Sequence, residues 1–313
     1  MSRAFVFPGQ GSQAVGMGRG LAEAFAEARL VFEEVDDALS QKLSALMFDG
    51  PEGDLTLTEN AQPALMAVGM AAVRVLEGQG GAPLSDKAAF FAGHSLGEYT
   101  ALAAAGALPL ADTARLLKRR GQAMQSAVPV GKGAMIALLG PDAEVAEAVA
   151  RDAAGSDVCE MANDNAPGQA VLAGSAEAID RATALAKERG AKKVVPLSVS
   201  APFHCALMRP AADTMAEALA GQTIAPPRRP VVANVTAQGE SDPETIRRLL
   251  VEQVTATVRW RESVLWMRDQ GVSEVVELGA GKVLTTMLKR IDRDMKGEAA
   301  GEPAEIEALL RAL

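Results

Sequence analysis

The sequence predicts an α/β fold: a larger unit on a central, mostly parallel sheet, carrying an inserted ferredoxin-like (βαββαβ) subdomain. Two observations support this. Short apolar runs alternate with segments of helical spacing along most of the chain, which implies parallel strands covered on both faces. Residues 133–198 depart from that rhythm and read strand–helix–strand–strand–helix–strand, the order of a split βαβ unit. The 313 residues, 49% of them hydrophobic, are enough for a sizeable core and for about two domains.

Taken in order, Arg3–Phe7 is a buried strand ended by Pro8-Gly9. Residues 12–48 have helical spacing, with Leu21, Phe25, Leu30, Phe32, Val35 and Leu39 along them. "GPEGDLTLTENAQP" at 50–63 reads as a loop, 64–77 as a helix, and 78–83 as a Gly-rich loop. A second buried strand spans 88–92, and a helical stretch spans 98–107. In the insertion, 134–139, 158–162, 169–173 and 193–199 are strands, with "NDNAPG" as the turn between the middle two. Helices are expected at 141–153, with Pro at its first turn, and at 175–189, with Ser175 as N-cap and Gly190 as C-cap. Beyond it come a strand at 231–235, helices at 243–256 and 261–270, a strand at 274–278, and "GAGKVL" leading into a helix. "KGEAAGEPAE" at 296–305 reads as a linker to a short terminal helix. The expected division is 1–130 with 199–292 for the larger domain, 131–198 for the subdomain, and 293–313 for the linker and last helix.

Bulk properties exclude several classes. A net charge of −9, without a long basic tract, speaks against nucleic acid. Aromatics at 4% rule out a stacking platform for single strands. The most apolar later stretch, 101–111, is too short to span a membrane and contains a proline. The apolar run before Pro8 is too short for a signal peptide. Cys159 and Cys205 cannot build a disulfide framework, so a reducing cytoplasm is expected. No His/Cys/Asp cluster points to a metal.

The chemistry centres on Gly93-His94-Ser95-Leu96-Gly97. Strand, G-x-S-x-G, helix is the setting of a nucleophile elbow: glycines permit the sharp turn, and the serine hydroxyl is lifted out of the sheet at a helix N-terminus. The N–H of Leu96 is then a natural oxyanion donor. The hydroxyl needs a base, and the chain has two histidines. His94 adjoins Ser95 and leaves the turn in another direction. His204, in the loop "SVSAPFHCALMRP", is the candidate base. Cys205 has no elbow and reads as a small buried residue. The partner of His204 stays open among Asp213, Asp242 and a backbone carbonyl.

Six ordered stretches, "FVFPGQGSQ" (5–13), "GHSLGEY" (93–99), "RRGQAMQ" (119–125), "NAPGQAVLAG" (165–174), "SAPFHCALM" (200–208) and "ELGAGKVL" (277–284), resemble the malonyl-CoA:acyl-carrier-protein transacylases over about residues 3–292. The resemblance implies a hydrolase-like α/β domain with a ferredoxin-like insertion. It implies a dyad of Ser95 and His204, with the second ring nitrogen donating to the backbone carbonyl of Gln253. It also implies an oxyanion hole of the Gln10 and Leu96 N–H groups, and Arg120 as the partner of the malonyl carboxylate. Asn165 and Gln169 would lie in a loop bordering the cleft. Phe203 and Leu96 match malonyl-selective members, while Ala280 stands where many relatives have proline. The implied reaction is malonyl transfer from malonyl-CoA to acyl carrier protein through a malonyl-serine, for fatty-acid synthesis. The alternatives are a serine acyl hydrolase or thioesterase, a malonyltransferase of a polyketide pathway, and a non-catalytic carrier-binding module. A cytoplasmic monomer is expected, with no cofactor, metal, nucleic acid or membrane. The acidic carrier would dock on basic clusters at Lys187, Arg189, Lys192 and Lys193, or at Lys289 and Arg290.

Overall fold

The computed structural model describes residues 2–199 and 201–313; Ser200, first residue of the "SAPFHCALM" stretch, lies outside them, as does Met1. Among the described residues, ten strands form two sheets. The strands are β1 (Arg3–Phe7), β2 (Phe90–Gly93), β3 (Gly133–Leu139), β4 (Cys159–Ala166), β5 (Gln169–Ser175), β6 (Lys193–Pro196), β7 (Val231–Ala233), β8 (Gln238–Glu240), β9 (Glu274–Leu278) and β10 (Lys296–Ala300). The larger sheet has the order β10-β9-β1-β2-β7-β8 and is parallel except for the β7–β8 pair. The smaller, β4-β5-β3-β6, is wholly antiparallel, with helices Ala143–Ala154 and Ala176–Glu188 completing the βαββαβ order.

The continuous apolar runs of the larger sheet follow from burial on both faces. Phe5, Phe7, Phe91, Val276 and Leu278 enter one hydrophobic cluster. Their strand neighbours Ala4, Val6, Ala92 and Val275 enter a second, with Trp260, Val264 and Leu284. Strand alternation sends successive side chains to opposite faces, so each strand serves two cores. No described helix is long and apolar enough to cross a membrane.

Several elements differ from expectation. The 50–63 loop is instead a short helix, Glu52–Thr56, and the start of a long one, Thr58–Gly80, with Pro63 inside it. Gly, Pro, Thr and Asn disguised it as a loop, but tertiary contact holds the first turn: Thr58, Asn60 and Gln62 are buried there. The 296–305 linker is β10, paired along its length with β9, followed by the helix Pro303–Ala312. Glu302 and Glu305 form a capping box at the start of that helix. β8 was not anticipated at all. In the insertion, β4 runs on to Ala166, and only Pro167-Gly168 turns the chain; Asn165 is therefore a strand residue.

The helix Leu110–Ser126 lies against the start of Thr58–Gly80 at very short range. A Cβ on Gly121 would sit 2.5 Å from Glu59 Cα and 2.7 Å from the Thr58 carbonyl oxygen. This approach brings Arg120, next along the chain, within reach of Gln62. Gly121→Ala is therefore expected to destabilise the protein by about 1–3 kcal/mol through overpacking. Gly53→Ala, where an added Cβ meets nothing within 4 Å in a helical segment, is expected to cost nothing or to stabilise slightly. Urea unfolding of both variants checks this; equal effects would contradict it.

Candidate active site

β2 ends at Gly93 and the helix Gly97–Ala104 begins four residues later, leaving a very tight turn. A Cβ on Gly93 would lie 1.9 Å from the Gly97 carbonyl, and one on Gly97 would lie 2.3 Å from Phe7 O. Only glycine fits either position. At the apex Ser95 takes φ +53°, a left-handed conformation that costs a non-glycine residue energy and must be held. Asn234, one residue beyond β7, holds it: its Oδ1 accepts from Ser95 N–H at 2.8 Å, and its Nδ2 donates to Gly93 O at 2.7 Å. The His94 N–H donates to Phe7 O at 3.1 Å.

Ser95 Oγ lies 2.8 Å from His204 Nε2. His204 Nδ1 lies 2.9 Å from the Gln253 carbonyl oxygen. A carbonyl can only accept, so Nδ1 carries the hydrogen and Nε2 presents its lone pair to the hydroxyl. Burial, and then the Arg120 charge, push the His204 pKa down to about 3, so the ring is neutral and ready to take a proton. Asp242 is occupied as the N-cap of Pro243–Glu252, accepting from Thr245 N–H at 2.8 Å. Of the candidate partners, the backbone carbonyl is the one within hydrogen-bond distance of the ring. His94 is engaged elsewhere, its Nε2 lying 2.8 Å from Asn165 Oδ1. Cys205 is fully buried, with its thiol pushed up to about 12 by burial, which removes it as a nucleophile.

Arg120 is 1% exposed, not a surface charge. Its Nη1 donates to Gln62 Oε1 at 2.8 Å, and its Nη2 to Gln253 Oε1 at 2.9 Å and Ser95 Oγ at 3.2 Å. Its Nε has no partner, and its guanidinium lies 5.7 Å from the Tyr99 ring centroid. Burial pulls its pKa below the usual arginine value. Behind this group sits Glu98, also buried, whose Oε2 accepts from Gln253 Nε2 at 2.8 Å and from Asn234 N–H at 2.9 Å. Gln253 Nε2 also donates to Ser95 O at 3.1 Å.

Ser95 opens into a cleft of about 270 Å³ between the carboxyl ends of β1 and β2 and the smaller sheet. Gln10, Leu96, Arg120, Phe203 and His204 line it. Asn165 does not; it supports His94, and Asn163, two residues earlier on β4, faces the cleft in its place. Gln169 begins β5 rather than sitting in a loop. Gln10 is steadied by Thr58, whose hydroxyl donates to Gln10 Oε1 at 2.6 Å. Sequence reasoning missed Glu98, Asn234, Gln62, Thr58, Tyr99 and Asn163. One available signal was position: Asn234 follows the carboxyl end of a buried parallel strand, where sites of α/β sheets gather. Among the described residues no group of three His, Cys, Asp or Glu could hold a metal ion.

The chain matches the acyl transferase domain family over residues 4–306. It is 47% identical over 309 residues, 98% of each chain, to the malonyl CoA-acyl carrier protein transacylase of Escherichia coli (strain K12). Among solved structures it is similar to the acyl-carrier-protein S-malonyltransferase of Bartonella henselae, with TM-score 0.97 and 54% identity, covering 100% of this chain and 99% of that one. It is also similar to a malonyl-transacylase solved in complex with its type II PKS acyl-carrier protein, with TM-score 0.96 and 42% identity, covering 100% of both chains.

The buried neutral imidazole has a consequence for stability. His204 titrates near 6.5 when unfolded and near 3 when folded, so below about pH 6.5 the unfolded chain binds a proton that the folded one does not. Its contribution to stability is intact above that pH and is lost as pH falls toward 3. His204→Gln is therefore expected to lose less stability than wild type between pH 7 and 5, measured by urea unfolding at each pH. Parallel losses in the two proteins would show that His204 titrates normally.

Proposed function

The chain belongs to the acyl transferase domain family and, within it, to the malonyl CoA-acyl carrier protein transacylases, and on that premise we infer that it moves a malonyl group from malonyl-CoA to the thiol of an acyl carrier protein by way of Ser95. The observation that carries this reading is the line from Ser95 Oγ through the His204 ring to the Gln253 carbonyl, with the buried Arg120 beside the hydroxyl.

The steps follow from that geometry. Malonyl-CoA enters with its carboxylate on the Arg120 guanidinium, a planar fork suited to a planar anion. His204 Nε2 takes the Ser95 proton as Oγ attacks the thioester carbonyl. The tetrahedral oxyanion is received by the N–H groups of Leu96, at the start of the helix after the elbow, and of Gln10, after β1. The developing imidazolium is steadied by its Nδ1–H bond to Gln253 O. Collapse expels the coenzyme A thiolate, which takes the proton from His204. The carrier's thiol then gives its proton to His204 and attacks the ester, and Ser95 Oγ leaves with that proton. This is ping-pong covalent catalysis. Two free buried cysteines suit the cytoplasm. Asn163 and Phe203 shape the cleft wall. The acidic carrier would meet the exposed cations of Lys187–Lys193 or of Lys289 and Arg290.

Two outcomes test the assignment. Ser95→Ala is expected to acquire no malonyl mass, and His204→Ala to be acylated about 10²–10⁴-fold more slowly, by rapid-quench mass spectrometry. His94→Ala should cost less than His204→Ala; an acylated Ser95→Ala would sink the mechanism. Arg120→Ala removes a charge-assisted bond of roughly 1.5–3 kcal/mol, so malonyl kcat/KM is expected to fall about ten- to a hundredfold while acetyl kcat/KM holds or rises. An equal fall for both substrates would make Arg120 structural.

A further inference from the structure

Arg120 poses an electrostatic problem that its role as a receptor does not answer. A guanidinium keeps its charge at any working pH and is costly to bury without an anion. Yet every partner it touches is neutral: the amide oxygens of Gln62 and Gln253, the Ser95 hydroxyl and the face of Tyr99. Among the described residues no carboxylate forms an ion pair with it. The negative charge lies one side chain further on. Gln253 accepts from Arg120 through Oε1 and donates to Glu98 through Nε2, so the negative end of its amide dipole meets the cation and the positive end the anion. Glu98 is itself enclosed, and its carboxylate receives only N–H groups, those of Gln253 and Asn234.

We propose that Glu98 is the resident counter-charge of Arg120, held one amide away by Gln253, and that it sets how strongly the cleft prefers a malonyl over an uncharged acyl group. The inference rests on Arg120 as the carboxylate receptor. A carboxylate paired directly with Arg120 would occupy the fork, and the substrate would have to displace it. Set back behind Gln253, Glu98 compensates the charge while the fork holds only neutral partners, which a substrate carboxylate can displace without expelling a charge. The two anions then share one cation, and their repulsion moderates malonyl binding. Burial raises the Glu98 pKa to about 7, and the Arg120 charge opposes the rise; Glu98 is ionised on the alkaline side of neutrality.

Glu98→Gln is the test, because a glutamine carbonyl can still accept from Gln253 and Asn234 while the charge is gone. At alkaline pH the expected result is a several-fold rise in the malonyl-to-acetyl ratio of kcat/KM, with a lower KM for malonyl-CoA and slower acetyl transfer. In an Arg120→Met background the same change is expected to leave the ratio unmoved. An equal fall for both substrates in Glu98→Gln, or a lower ratio, would overturn the proposal and leave Glu98 as a brace for the elbow. Should Glu98→Gln fail to fold, the double variant with Arg120→Met decides: recovery of folded protein supports charge compensation, and continued failure overturns it. If Arg120→Met alone leaves the ratio unchanged, the receptor role itself falls. If it lowers the ratio and Glu98→Gln does not raise it, only the present inference falls.

Discussion

The site depends on a backbone contact in which no side chain fits. A single methyl group on Gly93 would collide with the Gly97 main chain at 1.9 Å, and one on Gly97 with the Phe7 carbonyl oxygen of β1 at 2.3 Å. That closeness lets β2 turn directly into a helix, places Ser95 at the carboxyl edge of the sheet, and forces its backbone into the left-handed region. The conformation persists because Asn234 bonds both sides of the turn, and Asn234 is in turn held by Glu98 from the first turn of the following helix. The elbow is thus braced from β7 and from its own helix.

The electrostatics of the cleft follow from enclosure. His204 is kept neutral by burial and by a nearby cation, which suits a group that must take a proton. The same cation would make the site hostile to a protonated histidine, but the carbonyl of Gln253 supports the imidazolium transiently through Nδ1. Gln253 therefore serves twice, its main chain orienting the base and its side chain linking Arg120 to Glu98. A carbonyl in place of the usual carboxylate avoids placing a third buried charge beside Ser95.

What was legible in the sequence tracks how local each cause is. The elbow was readable because its causes, two glycines and a serine between a strand and a helix, lie within five residues. The pairing with His204 was readable because only one other histidine existed. Gln253 could not be derived from the residues alone, since a main-chain acceptor leaves no trace in side-chain chemistry; the family resemblance supplied it. Glu98 was hidden because an acidic residue in a first helical turn ordinarily faces solvent and the helix dipole. Asn163 lines the cleft and Asn165 bonds His94 although the two lie two apart on β4, where alternation alone would not separate them; the strand's register shifts at this point, an irregularity that residue types do not announce. The Thr58 and Gln62 turn and β10 were misread for a common reason: composition suited to loops was overruled by packing against a distant helix and a neighbouring strand.

The proposed reaction requires that Ser95 hold a malonyl group and yield it to a carrier thiol rather than to water. The most direct measurement is intact-protein mass spectrometry with peptide mapping after exposure to malonyl-CoA and removal of the excess. One malonyl adduct is expected on the peptide containing Ser95, persistent in buffer and discharged when phosphopantetheinylated acyl carrier protein is added. An adduct that disappears in buffer at the same rate with and without the carrier, or one that maps away from Ser95, would contradict it.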